Sequence, residues 1–282
     1  MLDGVRISFV GAGAMAEAMI KGLLDRRLVT ADHITAAGPR LERGVELRER
    51  YRVAVTTDNT ASVAGAGIVV LSVKPQMLGR VMPALKGGIA GDALVLSIVA
   101  GARMAVIEHG LAHPAVVRSM PNTPAQIGLG ITVWTASDAV TPAQREQARA
   151  VLTALGEEVF VDDEDYLDMA TALSGTGPSY VFLFMEALVD AGVHLGFPRY
   201  LAERLVLETV RGSAEYARHA GKHLASLRNQ VTSPGGTSAE ALYYLEKAGF
   251  RTALSRAVWA AYQRSVQLGR GRKRSPMEEE KQ

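Results

Sequence analysis

The residues whose types and spacing could do chemistry fall into a few short runs. The first is Gly11-Ala12-Gly13-Ala14-Met15-Ala16, set between a β-branched run, Arg6 to Val10, and a helix-like segment reaching about Leu24. In this GxGxxA pattern Gly11 permits a tight turn, Gly13 lets a pyrophosphate approach the backbone, and Ala16 allows close helix–strand packing. The helix N-terminus behind the turn presents unpaired N–H groups and a partial positive charge to an anion. A purely structural glycine turn is the competing reading. The position between a strand and a helix, at the start of an α/β pattern, favours a dinucleotide.

The end of the second strand bears on which dinucleotide. NAD enzymes usually place an Asp or Glu there to accept from the ribose 2′-OH. Here the strand ends Ala36-Ala37-Gly38-Pro39-Arg40, with no carboxylate until Glu42. Arg40 is suited to a 2′-phosphate through a charge-assisted contact. NADPH is therefore favoured, with NADH the alternative, and a solvated loop arginine is the bland reading of Arg40.

Ligands of an open parallel sheet lie beyond the carboxyl ends of its strands. Three further loops fall there: Ser72-Val73-Lys74-Pro75, Val99-Ala100-Gly101 and Met120-Pro121-Asn122-Thr123-Pro124. The two prolines around Asn122 and Thr123 restrict that loop's dihedrals and leave two polar side chains presented. Each loop alone is equally an ordinary turn; together they outline a nicotinamide half-site.

The elements that must hold these loops can be read from composition. Of the aromatic residues only Phe9, Tyr51 and Trp134 precede residue 160. Before that point β-branched runs (RISFV, HITAA, VAVTT, GIVVLSV, ALVLSIVA, AVVRSM, ITVWTA, EEVFVD) alternate with helix-like segments. Such short, largely apolar runs suit a parallel sheet covered on both faces by crossover helices. From about Asp165 the β pattern stops, and helices are expected over roughly 179–195, 199–219, 238–248 and 251–268. The first of these is apolar on most sides, so other helices or another subunit should enclose it. The expected organisation is an α/β domain over 1–164, an all-helical domain over 165–269 and a charged, disordered tail over 270–282.

The chain has 282 residues, 48% of them hydrophobic, and no cysteine. That excludes disulfides, thiolate nucleophiles and metal–thiolate sites. No apolar run reaches the 18 or so residues of a membrane span. The net charge of +2 resides in the tail, RGRKRSPMEEEKQ, so the body has no basic face for nucleic acid. A cytoplasmic protein is expected, without nucleic-acid or membrane partners.

GAGAMA, SVKP and MPNTP, followed by LSGTGPSYVFLFMEAL and VTSPGGTSAEAL, closely resemble the pyrroline-5-carboxylate reductase family. The resemblance runs from about residue 5 to 268, with the motifs in the family's order and spacing. It implies reduction of the cyclic imine 1-pyrroline-5-carboxylate to L-proline by NAD(P)H, the last step of proline synthesis. It also implies a Rossmann domain and a helical domain that interlocks into homodimers, which in several members assemble into pentamers of dimers. Carried over by position, it assigns Val10, Gly11, Ala12, Gly13, Ala14, Met15, Asn59, Ser72, Val73, Lys74 and Pro75 to the cofactor. The loop around Gly235, Gly236, Thr237 and Ser238 would hold the substrate carboxylate. Three positions depart from the family pattern. Gly38 replaces its usual Asn or Ser, which leaves 2′-phosphate contacts more heavily to Arg40. Ser238 replaces Thr in SPGGTT, and Leu224 replaces a common Pro.

Thr237 and Glu240 match a T-x-x-E capping box, which places a helix start at Ser238 and gives Thr237 a sufficient structural role. Gly235 and Gly236 let backbone N–H groups converge on a carboxylate ahead of that helix, and Ser238 is placed to bond the ring nitrogen. A protonated imine is already electrophilic, so orientation can carry much of the rate, about 7–11 kcal/mol in favourable cases. Ser174, Thr176 and Gly177, ahead of Pro178, would line the other side of the pocket or merely cap a helix, and Ser238 and Thr176 are the candidate catalytic residues. No metal is expected: His219 and His223 are spaced i, i+4 near Glu215, but Arg218 and Lys222 surround them with positive charge. Glu186 and Asp190 read as polar-face residues of an apolar helix. Two other functions compete. A β-hydroxyacid dehydrogenase shares the plan but uses a lysine early in its helical domain, and no lysine lies between Lys86 and Lys222. A non-catalytic NADP-binding protein would require a spoiled substrate loop, and SPGGTS is nearly intact.

Overall fold

The computed structural model describes residues 2–269; Met1 and the tail expected over 270–282 lie outside the described residues. Each β-branched run becomes a strand: β1 (Ile7–Val10), β2 (Ile34–Ala37), β3 (Ala54–Thr56), β4 (Ile68–Leu71), β5 (Leu94–Ser97), β6 (Val116–Met120), β7 (Gly130–Ala136) and β8 (Gly156–Phe160). They form one sheet in the order β3-β2-β1-β4-β5-β6-β7-β8. The helices between them are α1 (Ala14–Asp25), α2 (Leu41–Tyr51), α3 (Asn59–Val63), α4 (Pro75–Leu85), α5 (Met104–Leu111) and α6 (Pro142–Thr153). This is a Rossmann-type α/β architecture.

Successive strand residues face opposite sides of a sheet, and both sides here are apolar. Phe9, Ile68, Val70, Leu94 and Leu96 join Met19, Ile20 and Leu23 of α1 and Val151 and Leu152 of α6 in one core layer. Val10, Val69, Leu71 and Val95 join Leu78, Val81 and Leu85 of α4 and Ile107 of α5 in the other. All four residues of β4 are fully buried, each contributing about 1.5–3 kcal/mol of hydrophobic stabilisation. The strands therefore form the rigid floor from which the loops project.

One expectation fails in the sheet. It is not wholly parallel, because β7 runs antiparallel to β6, with Arg118 opposite Thr135. The connection over 121–129 holds only a short 3₁₀ turn, too little chain for a crossover between parallel neighbours. After α6, β8 then pairs parallel to β7.

Beyond the sheet come α7 (Asp165–Ala170), a π-helical turn over Thr171–Gly175, and α8 (Gly177–His194), α9 (Arg199–Ala220), α10 (Leu224–Gln230), α11 (Thr237–Lys247) and α12 (Phe250–Gly269). By contacts the chain forms two compact units, one ending at Thr176 and resuming at Ala261, the other spanning Gly177–Ala260. The expected division at residue 164 thus differs from the compact one. The reason is local: α7 binds β6 through Asp168, which accepts from Arg118 at 3.0 Å and from Ser265 of α12 at 2.7 Å.

Within the second unit α8 and α9 form a hairpin. Gly192 permits their approach, since a Cβ there would stand 3.1 Å from the Ala202 Cβ. Asp190, read from sequence as a polar-face residue, accepts from Arg199 at 2.9 Å and ties the two helices. Few of this unit's side chains are buried, Val189, Ala202 and Leu227 among them, while Phe182, Leu183, Leu195, Leu207 and Tyr244 are more than half exposed. Helix α10 was not anticipated. His223 caps it by accepting from the Ala225 N–H at 3.2 Å. His219 meanwhile lies 2.8 Å from the Glu215 carbonyl of its own helix.

Candidate functional site

The glycine turn is shaped by crowding on one side and open space on the other. Gly11 has φ +111°, and a Cβ there would stand 2.6 Å from the backbone of Ser72. No side chain fits that position. Ser72, expected from sequence to touch the cofactor, spends its hydroxyl on the turn itself, donating to the Gly11 carbonyl at 2.7 Å. Its N–H donates to the Val10 carbonyl at 2.9 Å. The first loop after β4 is thereby stitched to the loop after β1. Gly13, by contrast, has nothing within 4 Å of where a Cβ would lie.

Gly13 is the N-cap of α1, extended at φ −80° and ψ −176°, with no side-chain cap bond. The N–H groups of the first turn, at Ala14 and Met15, are among those that an α-helix leaves without an intrahelical acceptor. Ala16 is fully buried, which sets the helix close on the sheet. A backbone cradle facing open space at a helix N-terminus has the chemistry to hold a pyrophosphate.

Around this turn the other expected residues take distinct places. Gly38 packs on it, its Cβ position 3.3 Å from the Ala12 Cβ. Arg40 is exposed at the N-cap of α2, and Lys74 is exposed at the N-cap of α4 with Pro75 beginning that helix. Val73 packs on the apolar layer beneath. Asn59 opens α3, whose cap is Asp58. Asn122 is half committed: its Oδ1 accepts from the Ile131 N–H at 3.0 Å and pins the MPNTP loop to β7.

Arg43, three residues beyond Arg40, belongs to the turn as well although nothing in its own stretch of sequence marks it. Its Nε donates to the Ala12 carbonyl at 3.1 Å, inside the glycine turn. Its other nitrogens bond Glu46, at 2.8 Å, and Glu17 of α1. Glu17 also receives hydrogen bonds from Arg50 and from the Tyr51 hydroxyl. Burial alone would raise the Glu17 carboxyl; the hydrogen bonds from Arg43, Tyr51 and Arg50 and the charge of Arg43 outweigh it and hold the group below its usual range. The available signal was Glu17 itself, an acid in the first turn of a helix expected to face an anion.

In the helical unit the expected capping box does not form. Helix α11 starts one residue early, with Gly236 as an extended N-cap and Thr237 already inside the helix. The Gly236 carbonyl accepts from the N–H of Ala239 at 3.1 Å, while its own N–H donates to Ser233. Gly235, at φ +70°, makes that turn in the left-handed region. The physical reason is that glycine fits the cap and the preceding turn, so Thr237 is displaced to the first helical position. Thr237 is exposed and Ser238 half-buried.

Thr176 and Ser174 bond the segment before them. Their hydroxyls donate backward, to the carbonyls of Thr171 at 2.8 Å and Ala170 at 3.0 Å. The π turn leaves carbonyls that helical N–H groups do not all reach, and these side chains fill in. Thr176 keeps only its oxygen lone pairs for a ligand.

The chain is similar to known proteins in sequence and in fold. The family model for pyrroline-5-carboxylate reductase dimerisation matches residues 164–268, and one for coenzyme F420-dependent NADP oxidoreductases matches 6–101. The pyrroline-5-carboxylate reductase of Synechocystis sp. is 41% identical over 94% of this chain and 99% of its own. That of Pseudomonas aeruginosa is 42% identical over 93% and 96%. A solved Plasmodium falciparum pyrroline carboxylate reductase with NADP bound superposes with a TM-score of 0.87 at 30% identity, covering 94% of this chain and 98% of that one. The reductase of Coxiella burnetii reaches 0.85 at 34%, covering 94% and 98%. With both halves matched at nearly full length, the chain belongs to the pyrroline-5-carboxylate reductase family.

Proposed function

We propose that the protein reduces 1-pyrroline-5-carboxylate to L-proline with NADPH. The observation that carries this is likeness over nearly the whole chain, glycine turn and helical half together, at 41–42% identity. NADPH, when bound, supplies the hydride. Gly13, Ala14 and Met15 would hold its pyrophosphate with backbone N–H groups, and Arg40, exposed beside the end of β2, its 2′-phosphate. Asn59, Ser72 to Pro75 and the side-chain NH2 of Asn122 complete the cofactor set.

The start of α11 is the substrate's anion site in this reading. Thr237 and Ser238 keep N–H groups unspent at the helix N-terminus, where a carboxylate is favoured by the helix dipole. Gly235 and Gly236 remove side chains from its approach. Ser238, in the first turn of α11, would accept from the iminium N–H and orient the ring. Thr176, whose hydrogen already serves Thr171, offers a ligand only acceptor lone pairs. These groups position a substrate that is electrophilic once protonated, and positioning alone lowers such barriers by about 7–11 kcal/mol.

The helical unit acts as a homodimer in this proposal. Its support is the dimerisation family matched there and the exposed apolar side chains of α8 and α9, which a monomer rarely leaves in contact with water. A pentamer of dimers and a cytoplasmic location rest on the family resemblance. The deciding experiment is an assay of purified protein with 1-pyrroline-5-carboxylate, following NADPH absorbance with no metal added. Oxidation that depends on the imine is expected. No turnover with either nicotinamide would return the choice to a non-catalytic NADP-binding protein.

A further inference from the structure

We propose that Arg43 is a positioning residue: it presets the Ala12–Gly13 peptide for the cofactor's pyrophosphate and does not itself read the 2′-phosphate. The inference rests on the reading of Gly11 to Met15 as the cofactor turn. A peptide that precedes glycine flips at small cost, because glycine tolerates both signs of φ. Such a turn needs an anchor to present one face consistently. Arg43 Nε provides it by donating to the Ala12 carbonyl at 3.1 Å.

The consequence follows from peptide geometry. The Ala12–Gly13 amide is planar and trans, so its carbonyl and its N–H point in opposite directions. With the carbonyl held toward Arg43, the Gly13 N–H is turned away from α2. Loss of the anchor frees the amide to rotate and to present an oxygen, which repels phosphate, where the donor stood.

The remaining nitrogens of Arg43 are taken. Glu46 accepts at 2.8 Å, and Glu17 closes the other side. Hydrogen bonds to Glu17 and then Glu46 hold the guanidinium's pKa above its usual value, against a smaller opposing effect of burial. Its charge is thus compensated twice. Arg40, three residues earlier and exposed, makes no ion pair among the described residues, which leaves it the arginine available to a 2′-phosphate. The same contacts deal with Glu17, whose carboxylate in the first turn of α1 would otherwise oppose an incoming pyrophosphate. Arg43 and Arg50 neutralise it, and Tyr51 adds a third hydrogen bond.

The test is calorimetric binding of NADPH, NADH and adenosine 2′-monophosphate to wild-type, Arg43→Ala and Arg43→Lys proteins. The monophosphate carries the 2′-phosphate and no pyrophosphate. For Arg43→Ala the dissociation constants of both dinucleotides rise together, by about tenfold, as expected for losing a hydrogen bond made by a charged group. The monophosphate binds as in wild type. Arg43→Lys, which can still pair with Glu17 but lacks the planar fork, shows a smaller rise of the same pattern. If Arg43→Ala fails to fold by circular dichroism, the Lys variant carries the comparison. Unchanged dinucleotide affinity overturns the proposal, as does a parallel loss of monophosphate binding. A wild-type protein that binds neither dinucleotide overturns the cofactor reading, and this inference with it.

Discussion

Arg118 and Asp168 form an ion pair shut away from water. Nη2 donates to Oδ1 at 3.0 Å, with only 3% and 4% of the two side chains exposed. The Ser265 hydroxyl reaches the same oxygen at 2.7 Å, and Arg118 Nη1 reaches Glu164 at 2.9 Å. Strand β6, helix α7 and the last turns of α12 therefore share one carboxylate. Removing Asp168 leaves Arg118 paired with Glu164 alone and takes away the charge-assisted bonds to Arg118 and Ser265, which costs about 1.5–3 kcal/mol. Asp168→Ala should lower unfolding stability by that amount in a urea titration, and Ser265→Ala by about 1 kcal/mol. A cost near zero for Asp168→Ala would show that water enters the site.

Glu17 ties stability to pH on the acid side. Its carboxyl is held below the reference value of 4.5 in the folded chain, because hydrogen bonds from Arg43, Tyr51 and Arg50 overcome the effect of burial. A depressed carboxyl contributes stability that is complete above the unfolded pKa and is lost as pH falls through the folded one. The difference in melting temperature between wild type and Glu17→Gln should thus be constant above about pH 5.5 and shrink as pH drops below about 4.5. A difference that grows on acidification would contradict the assignment.

Arg40 is expected to discriminate between the nicotinamides. In Arg40→Ala the KM for NADPH should rise about tenfold with that for NADH little changed, since only the former offers a phosphate to pair with. Equal loss for both cofactors removes the role assigned to Arg40.

Ser238 acts on the imine alone in the proposed mechanism. Ser238→Ala should cut kcat/KM for 1-pyrroline-5-carboxylate by about tenfold to a hundredfold, the range for losing one hydrogen bond to a charged group. NADPH affinity, measured by fluorescence quenching without imine, should stay at the wild-type value. Ser238→Thr should retain activity, as it keeps the hydroxyl. If cofactor affinity moves with the kinetics, Ser238 belongs elsewhere.

Much of this was legible from residue types. The strands were visible because β4 is apolar throughout and β1 and β5 but for Ser8 and Ser97, and a run buried on both faces leaves that mark at nearly every position. Gly11 and Gly13 were legible because their use is a backbone property. The start of α11 was misread by one residue, because a T-x-x-E pattern scores the same whether or not glycine takes the cap. Arg43 was missed because its partners, Ala12 and Glu17, lie on other elements, and nothing in its immediate neighbours marks it apart from Arg40. That Thr176 bonds the Thr171 carbonyl, beyond the pocket-lining and capping roles expected of it, was not legible, because a π turn has no pattern in sequence.

Sequence alone determined the class of fold, the glycine turn and the family, since each depends on local periodicity, on backbone freedom or on motif order. Tertiary structure decided how the groups are spent. It bound the Ser72 hydroxyl to Gly11, the Asn122 carbonyl oxygen to β7 and the Thr176 hydroxyl to Thr171. It also left Arg40 exposed while saturating Arg43. Hydrogen bonds act over about 3 Å between residues at any separation along the chain, so their partners are known only once the chain has folded.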